Sequence, residues 1–400
     1  MLSLEEAQDA IIKSLHSCEE QESVALIDAH NRYLADNVVA QVDNPAFDNS
    51  AMDGYAVNSV QLVNAGFELP LSGEASAGKP PGTLKADSTM RIFTGAPVPT
   101  GADTVVIQED IKRQGSMVVF PHSVQPGQNI RTAGQDFTRG LTLFKKGRRL
   151  SAPDLALVSA AGLPQLPVFR RPKILVVATG DELVAPGQPL APGEIYESNR
   201  LATLLQVRAL GADAVDGGTV VDKPEAVRNI LKKATEYDFV ITSGGVSVGD
   251  HDLVKQVFAE IGEINFWKVR IKPGKPVAFG RLGDKTNFFG LPGNPVSSLV
   301  TFLLFVQPAI LAWHHSKTQP LYLRATAKTA YRRHAGRTEF LRGRLYSESN
   351  ETKVERLRGQ GSHMLGTLKD SNCLIRVEHD SEGFAAGDAV TVWPLPSAFL

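Results

Sequence analysis

The sequence predicts a multidomain α/β and β protein built around a doubly wound α/β domain. Three observations support this fold class. The chain has 400 residues, which is more than one hydrophobic core usually holds, so several domains are expected. Between Lys173 and His315, apolar runs alternate with amphipathic segments of helical length. Two other stretches, 42–134 and 318–400, contain short apolar runs divided by glycine and proline, as in β domains.

The first helical signals come from two separated stretches, 1–41 and 135–170. The first stretch has apolar residues at helical spacing from its start. In the second, Ser151 and Asp154 have the spacing of a capping box and Gly162 can end the helix. We therefore predict one discontinuous helical domain, with the β-rich domain inserted into it.

The stretch 171–317 predicts the α/β domain. Its buried-strand runs are ILVVATG, AVDGGTVV and DFVITSGG, and the helices between them are LATLLQVRALG, PEAVRNILKKATE and DLVKQVFAEIG. In doubly wound sheets ligands bind where strand carboxyl ends meet helix amino ends, so the loops after these strands are the expected site. Residues 318–400 predict a C-terminal β-barrel-like domain, with runs such as LYLRATA, CLIRVEH and AVTVWPL.

Composition limits the expected partners and location. The 42 basic and 43 acidic residues nearly cancel, so nucleic acid is not an expected partner. Cys18 and Cys373 lie far apart without CxxC or Cys/His spacing, which argues against a disulfide framework and against a zinc or iron–sulfur site. These cysteines fit a reducing compartment, and we expect a cytoplasmic protein.

The apolar stretch from Val296 to Trp313 has two interpretations. It is uncharged and almost long enough to cross a bilayer. However, Gln307 and Pro308 interrupt it and no basic cluster flanks it. We therefore predict a buried helix and no membrane partner.

The loop TSGGVSVGDHD follows a strand and opens a helix, a position where backbone N–H groups hold oxyanions. Gly244 and Gly249 have P-loop spacing, but Asp250 and His251 stand where that loop needs Lys and Ser or Thr. No GxGxxG pattern is present either, so neither a P-loop NTPase nor a Rossmann oxidoreductase is supported. The two alternatives are a metal-bridged phosphate site and a structural turn with Asp252 near a helix start.

Carboxylates follow two other strands. Asp181 and Glu182 in ATGDEL come just after ILVV, where paired oxygen ligands can hold Mg²⁺; solvated turn residues are the other interpretation. Asp222 in DKPEAV has Glu225 three residues on, which is the pattern of a helix cap. The pattern alone favours a cap at Asp222 over a ligand.

The run FWKVRIKPGKP is the clearest charge pattern. In a strand, Lys268, Arg270 and Lys272 project from one face, and Lys275 follows a Pro-Gly turn. An anionic partner is one reason to hold like charges together. The other interpretation is an edge strand that uses lysine to prevent aggregation.

The segment LPGNPVSS predicts a second oxyanion cradle. Asn294 has the position of an N-cap, Pro295 falls in the first helical turn, and Ser297 and Ser298 supply free backbone N–H groups. Together with the lysine run, this segment predicts an α/β domain that binds phosphates with a metal.

Six motifs occur together and in one order: DNSAMDGYA, FTGAPVP, ATGDEL, TSGGVSVGDHD, WKVRIKPGKP and GLPGNPVSS. Through them essentially the whole chain resembles the molybdopterin molybdenumtransferase family, whose α/β domain binds molybdopterin. The resemblance implies a transferase that binds adenylylated molybdopterin, uses Mg²⁺, takes up molybdate, releases AMP and leaves molybdenum on the dithiolene.

The resemblance also implies roles for particular residues. The implied catalytic residues are Asp53, Thr94, Glu182, Asp222, Asp252, Lys268 and Lys272. Cofactor binding is expected at Arg131, Asp136, Ser243, Gly244, Gly245, Ser247, Lys275, Pro292, Pro295, Arg342 and Ser362. The implied Mg²⁺ ligands are Glu182, Asp222 and Asp252. Carboxylates suit Mg²⁺ and water positioning, the lysines suit phosphate or molybdate, and Arg342 is expected to act as a second anion clamp.

The resemblance further implies a homodimer whose cleft combines the α/β and terminal domains of one subunit with the β-rich domain of the other. Molybdopterin adenylyltransferase and downstream molybdoenzymes or their chaperones are the expected partners. One alternative is molybdopterin adenylylation, which a related α/β domain performs without the other three domains. The other is a non-catalytic scaffold, since the resemblance extends to gephyrin. The four-domain layout favours metal insertion.

Overall fold

The computed structural model describes residues 1–221, 223–244, 262–317 and 319–395. Four predicted site residues lie outside these described residues: Asp222, Gly245, Ser247 and Asp252. The helix predicted from DLVKQVFAEIG also lies outside them, apart from its final glycine.

The chain opens with a helix whose start is encoded locally. Helix α1 (Leu4–Ser14) begins with a capping box, in which the Glu6 backbone N–H donates to the Ser3 hydroxyl at 3.0 Å and the Ser3 N–H donates to the Glu6 carboxylate at 2.7 Å. Two strands follow, β1 (Gln21–Ala25) and β2 (Val38–Val39). Both pair with strands that come much later in the chain.

A six-stranded sheet dominates the next region. Its elements and their neighbours are β3 (Asn49–Ser50), β4 (Gly54–Val57), α2 (Ser59–Asn64), β5 (Glu68–Ala75), β6 (Thr89–Ile92), β7 (Thr104–Ile107), β8 (Lys112–Gln114), β9 (Met117–Val119) and β10 (Ile130–Arg131). The sheet order is β7-β4-β6-β5-β9-β8, and β3 pairs separately with β10. Successive residues of β4 face opposite sides of the sheet. Tyr55 and Val57 pack in one hydrophobic core, and Ala56 packs in another. The predicted β-rich insertion is confirmed as a β region.

The chain then returns to the strands near its start. The elements here are β11 (Thr142–Phe144), α3 (Ala152–Ala160) and β12 (Gln165–Phe169). Helix α3 begins at the predicted capping box, where Asp154 Oδ2 accepts from the Ser151 N–H at 2.9 Å, and Gly162 follows the helix with φ +87°. Strands β12 and β11 pair antiparallel with β1 and β2. The two separated stretches are therefore joined by strand pairing.

The α/β region contains the elements β13 (Lys173–Thr179), β14 (Leu183–Val184), β15 (Ile195–Tyr196), α4 (Asn199–Ala209), β16 (Asp213–Val220), α5 (Pro224–Ala234), β17 (Phe239–Ser243), β18 (Gly262–Lys268), β19 (Ile271–Lys272), β20 (Pro276–Leu282) and β21 (Thr286–Leu291). The sheet order is β16-β13-β17-β21-β20-β18, parallel from β16 to β21 and antiparallel beyond it. On β13, Ile174 and Val176 face one core while Leu175 and Val177 face another. Both faces of the sheet are covered, so the doubly wound prediction is confirmed.

A long apolar helical stretch follows the sheet. It consists of α6 (Pro295–Thr301), a π-helical turn (Phe302–Val306) and α7 (Gln307–Trp313). Among the described residues, this stretch alone is long and apolar enough to cross a membrane. However, 72% of its most apolar 18-residue segment is buried inside the fold. Val300 and Ile310 share a core with Leu4 and Ile11 of α1. The predicted buried helix is confirmed, and α1 packs on it.

The last region closes into a barrel. Its strands are β22 (Leu323–Ala327), β23 (Tyr331–Arg332), β24 (Thr338–Glu348), β25 (Glu351–Arg356), β26 (Cys373–Val377), β27 (Gly383–Phe384) and β28 (Ala389–Pro394). Five strands in the order β24-β25-β22-β28-β26 form the closed barrel, because β26 pairs back to β24. The short strand β19 leaves the α/β sheet and pairs with β24. The β-barrel-like prediction is confirmed, while the residue boundaries of the four domains stay predictions.

Candidate active site

A cleft of about 1020 Å³ opens at the carboxyl edge of the α/β sheet. Thr179 ends β13, Ser243 ends β17 and Pro292 follows β21, and all three residues line the cleft. The chain leaves β13 through α4 to β16 on one side and then crosses to β17 on the other. This edge is therefore a topological switch point, where doubly wound sheets bind their ligands.

The predicted site residues divide between this cleft and other parts of the subunit. Eight of them line the cleft: Glu182, Ser243, Gly244, Lys272, Lys275, Pro292, Pro295 and Ser362. Six other described members of the predicted set do not line it: Asp53, Thr94, Arg131, Asp136, Lys268 and Arg342.

The loop after β17 lies tightly against the end of β13. Gly244 has φ +90°, and a Cβ there would lie 2.4 Å from the Thr179 carbonyl oxygen, so only glycine fits without moving the backbone. The Thr179 hydroxyl oxygen is buried and has no hydrogen-bond partner among the described residues. Because buried hydroxyl groups usually have a partner, the described residues leave the partner of this hydroxyl unassigned.

Of the residues that the structure describes, two carboxylates line the cleft, Glu182 and Glu197, and we call them the cleft carboxylates. Both flank the β14–β15 pairing, in which the Ile195 N–H donates to the Glu182 carbonyl at 2.8 Å and the Glu197 N–H donates to the Val184 carbonyl at 2.9 Å. Glu197 is only 5% exposed and accepts from the Arg200 backbone N–H at 2.6 Å. Sequence analysis missed Glu197, whose only local signal is its place just before α4.

The cationic run has the predicted alternation of burial but is not one continuous strand. Val269 and Ile271 are fully buried, whereas Lys268 and Lys272 are exposed. Strand β18 ends at Lys268, and the chain then changes partner to pair with the barrel through β19. Of the three cations predicted on one face, Lys268, Arg270 and Lys272, only Lys272 lines the cleft. Of these three cations the cleft therefore contains Lys272, and a catalytic role for Lys268 stays a prediction.

Lys272, Lys275 and Arg337 all line the cleft, and we call them the cleft cations. The turn between the two lysines packs on α6, because a Cβ at Gly274, which has φ +98°, would lie 2.3 Å from Thr301 Cγ2. Arg337 was not in the predicted set, although it lies only five residues before Arg342, which was. The cleft therefore combines carboxylates with cations.

Arg342 is fully buried and supports a loop of the barrel. Its Nε donates to Thr367 Oγ1 at 2.7 Å, and its Nη2 donates to the Gly359 and Gly361 carbonyl oxygens at 2.7 and 3.1 Å. In this subunit the guanidinium group therefore holds the loop that carries Ser362. Arg342 was predicted to act as a second anion clamp. Its side chain instead points into the barrel from β24 and does not line the cleft.

The amino end of α6 was predicted to offer free backbone N–H groups to an oxyanion, but two of these groups already have partners. Asn294 and Pro295 occupy the predicted N-cap and first-turn positions, but the Asn294 side chain makes no capping hydrogen bond. The Val296 N–H donates to the Ser362 carbonyl oxygen at 3.0 Å, and the Ser298 N–H donates to the Asn294 carbonyl oxygen at 2.9 Å. The prediction of a free N–H at Ser298 is wrong, because the helix itself uses that donor.

The inserted region holds a second group of predicted site residues. Asp53 Oδ1 accepts from both the backbone N–H and the hydroxyl of Thr94, each at 2.8 Å. These hydrogen bonds, the backbone one first, lower the pKa of Asp53 below its ordinary value. Asp136 accepts from Asn44 Nδ2 at 2.9 Å, and Arg131 is exposed on β10. The structure thus brings Asp53 and Thr94 together, outside the cleft.

Three family models match the chain in succession. The MoeA N-terminal region (domain I and II) matches residues 2–162, a probable molybdopterin binding domain matches 175–312, and the MoeA C-terminal region (domain IV) matches 324–395. Together they span most of the chain, and the second match contains the cleft loops after β13, β17 and β21.

Relatives match over nearly the full length. A molybdopterin molybdenumtransferase of Haemophilus influenzae is 38% identical, with 98% of each chain covered. One from Nostoc sp. is 36% identical, with 96% of this chain and 91% of the relative covered. The crystal structure of a molybdopterin biosynthesis MoeA protein from Pyrococcus horikoshii has 30% identity and a TM-score of 0.81, covering 98% of this chain and 99% of that chain.

The fold, the cleft and these matches define a multidomain protein of molybdenum cofactor biosynthesis with an α/β domain of the molybdopterin-binding type. The chain belongs to the molybdopterin molybdenumtransferase family, and it is a transferase. The resemblance carried by the six sequence motifs is confirmed.

Proposed function

We propose that the protein inserts molybdate into adenylylated molybdopterin, with Mg²⁺-dependent release of AMP. The observation that carries this proposal is the mixed charge of one cleft at the switch point, with Glu182 and Glu197 beside Lys272, Lys275 and Arg337. Phosphate and molybdate are both oxyanions, for which lysine and arginine supply charge-assisted donors. The cleft volume, about 1020 Å³, also suits a nucleotide-sized ligand.

The described residues fit a magnesium ion that keeps several of its waters. Glu182 would provide a carboxylate oxygen in the cleft, and the Thr179 hydroxyl, which has no partner among the described residues, would provide a second oxygen ligand. Among the described residues no cluster of three or more His, Cys, Asp or Glu side chains is arranged to hold a metal ion. The other ligands implied by the family resemblance are Asp222 and Asp252. When bound, Mg²⁺ would neutralise phosphate charge as the link to AMP is broken.

The residues of the chain itself would bind and orient the reacting groups. Lys272 and Lys275 would donate hydrogen bonds to phosphate or molybdate oxygens, and Arg337 would add a planar donor pair. The loop held by Gly244 would let the ligand approach the backbone closely. In this proposal the oxygen of a water molecule forms a new P–O bond as the P–O bond that links the two phosphates breaks. AMP then leaves with its own phosphate.

We further propose a homodimer with shared sites, in a reducing cytoplasm. Asp53 and Thr94 are fixed to each other but lie outside the cleft of their own subunit, which fits a partner subunit's cleft. Both cysteines, Cys18 and Cys373, are free and buried, which fits a reducing compartment. Molybdopterin adenylyltransferase and molybdoenzymes or their chaperones are the proposed exchange partners.

One experiment tests the proposed function directly. Purified protein would be incubated with adenylylated molybdopterin, Mg²⁺ and molybdate, and AMP release and reconstitution of an apo molybdoenzyme would be measured together. Both products are expected only when all three components are present. Pyrophosphate release from ATP and molybdopterin would favour adenylylation instead, and neither product would favour a scaffold.

A further inference from the structure

Glu339 is a buried carboxylate next to the cleft, and sequence analysis did not single it out. It lies on β24 and is 4% exposed. Its Oε1 accepts from Lys272 Nζ at 3.1 Å, and its Oε2 accepts from the Tyr331 hydroxyl at 2.6 Å. Arg333 Nη1 lies 3.5 Å from Oε1, and the Arg333 side chain is only 4% exposed. One barrel carboxylate thus contacts two cations and a phenol.

The backbone places Glu339 beside Lys272. Strand β19 leaves the α/β sheet and pairs parallel with β24, where Lys272 and Glu339 are register partners. The Thr338 N–H donates to the Arg270 carbonyl oxygen at 2.8 Å and continues this contact. The position of the Lys272 side chain is therefore set by the docking of the barrel.

The contacts also keep Glu339 ionised. Burial alone would raise the pKa of Glu339, but hydrogen bonds from Tyr331 and Lys272, together with the charge of Arg333, lower it below its ordinary value. A buried carboxylate needs such partners, because an isolated buried charge is strongly disfavoured. The negative charge of Glu339 is thus a stable part of this region.

Lys272 keeps a free side toward the cleft despite this contact. Its side chain is 46% exposed and lines the cleft, whereas the carboxylate beneath it is buried. A lysine ammonium has three N–H donors, and the hydrogen bond to Glu339 uses one of them. The remaining donors can meet an oxyanion. A flexible lysine side chain that is already held loses less conformational freedom when it binds.

The same cluster reaches a second cleft cation. Arg333 donates hydrogen bonds to the backbone carbonyl oxygens of Arg337 and Glu378, as well as lying beside Glu339. Arg337 lines the cleft. Arg333 thus contacts the backbone at Arg337, whereas Glu339 contacts the Lys272 ammonium itself, so Lys272 is the cleft cation that Glu339 holds directly.

We propose that Glu339 is a positioning residue that holds the Lys272 ammonium at the cleft, so that the barrel preorganises the anion-binding group of the α/β region. Glu339 itself contacts no substrate in this proposal and acts through Lys272. The inference rests on the proposed function, because it assumes that Lys272 binds an oxyanion substrate.

The test is a double-mutant cycle with molybdate as the probe. Molybdate affinity would be measured by calorimetry for the full-length protein, Glu339→Gln, Lys272→Ala and the double variant. We expect Glu339→Gln and Lys272→Ala each to weaken molybdate binding about tenfold or more, because each disturbs a charge-assisted contact. In the Lys272→Ala background, Glu339→Gln should cause no further loss. The KM for molybdate in AMP release should change in parallel.

A matched control separates this effect from general loss of barrel charge. Glu355 of the barrel accepts from Lys328 Nζ at the same 3.1 Å, but this pair is exposed and does not line the cleft. Glu355→Gln is expected to bind molybdate as the unmodified protein does. Equal losses in Glu355→Gln and Glu339→Gln would overturn the positioning role.

A second variant covers the case in which Glu339→Gln fails to fold, as judged by its thermal melt. Tyr331→Phe removes the hydrogen bond at Oε2 and leaves the Lys272 contact in place. It should weaken molybdate binding by about two- to threefold, and only when Lys272 is present. Equal losses with and without Lys272, or no loss in any variant, overturn the inference. If the unmodified protein binds no molybdate and releases no AMP, the proposed function itself fails.

Discussion

The cleft and the Asp53–Thr94 pair hold their charged groups in different ways. In the cleft, residues from three strand ends and from the barrel are brought together by long-range strand pairing, and buried groups such as Glu339 support them. Asp53 is instead held by one neighbour, Thr94, through two hydrogen bonds at an exposed position. The cleft thus has the space for a ligand, while the pair supplies an oriented carboxylate outside that cleft.

This difference suggests that the two regions are complementary parts of one site. A carboxylate held ionised at an exposed position costs little to maintain, because water still solvates it. Its orientation becomes useful when another surface covers it. A symmetric dimer supplies such a surface twice, since each subunit offers both the cleft and the pair.

The largest expected effect is intersubunit complementation. Asp53→Ala and Glu182→Ala should each lose roughly a hundredfold or more of AMP release, because each removes a charged group at the proposed reaction centre. A mixed dimer concentrates both defects in one site. Random mixing makes about half of the dimers mixed, so about a quarter of all sites should regain activity after subunit exchange.

The control for this experiment pairs two cleft variants. Mixing Glu182→Ala with Lys272→Ala should restore nothing, because each site of that mixed dimer keeps one cleft defect. Doubly tagged dimers would be purified and AMP release assayed. A folded Asp53→Ala and Glu182→Ala mixed dimer without activity would exclude the shared site.

The next largest effect is expected at Glu182, one of the cleft carboxylates, and it tests whether this residue coordinates Mg²⁺. Glu182→Gln should keep its substrate but turn over about ten- to a hundredfold more slowly, because an amide keeps the shape but coordinates Mg²⁺ weakly. Excess Mg²⁺ should restore part of the rate. Glu194→Gln is the control, because the Glu194 carboxylate accepts the local backbone N–H of Ala191 and is not among the described residues that line the cleft. Normal AMP release by Glu182→Gln at low Mg²⁺ would make Glu182 a structural residue.

A smaller effect concerns the geometry of the cleft cations. Lys272→Arg keeps the charge, but a planar guanidinium cannot occupy the place of a compact ammonium beside Glu339. We expect a partial loss of molybdate affinity, about three- to tenfold. Lys285→Arg, in the exposed turn between β20 and β21, should change nothing. Full affinity in Lys272→Arg would show that charge alone is required there.

The smallest effect is a titration shift in the inserted region. Thr94→Val removes the hydroxyl donor but keeps the backbone N–H, so the lowered pKa of Asp53 should rise part of the way to its ordinary value. A carboxyl whose native pKa is lowered stabilises the fold above its unfolded pKa, and this stabilisation is lost as pH falls through the lowered native pKa. NMR titration of labelled aspartate carboxyl groups would measure the shift. An unchanged Asp53 pKa would show that the hydroxyl bond contributes nothing.

Local features of the fold were predictable from the sequence because their causes are local. The Ser151–Asp154 capping box depends on residues three apart, and it forms as predicted. The burial of Val269 and Ile271 between exposed lysines follows from strand alternation. The loops after β13 and β17 were predicted to hold the site because parallel strands share one carboxyl edge, and residues of both loops line the cleft.

Tertiary structure decided which of the predicted groups meet. Lys272 lines the cleft and Lys268 does not, because the chain changes partner between them from the α/β sheet to the barrel. Arg337 lines the cleft while Arg342 faces inward, and no local pattern separates these two arginines. Glu339 becomes important only through its contact with Lys272, 67 residues away in the chain. Such pairings depend on how separate regions dock, and the side-chain periods of single strands and helices carry no information about docking.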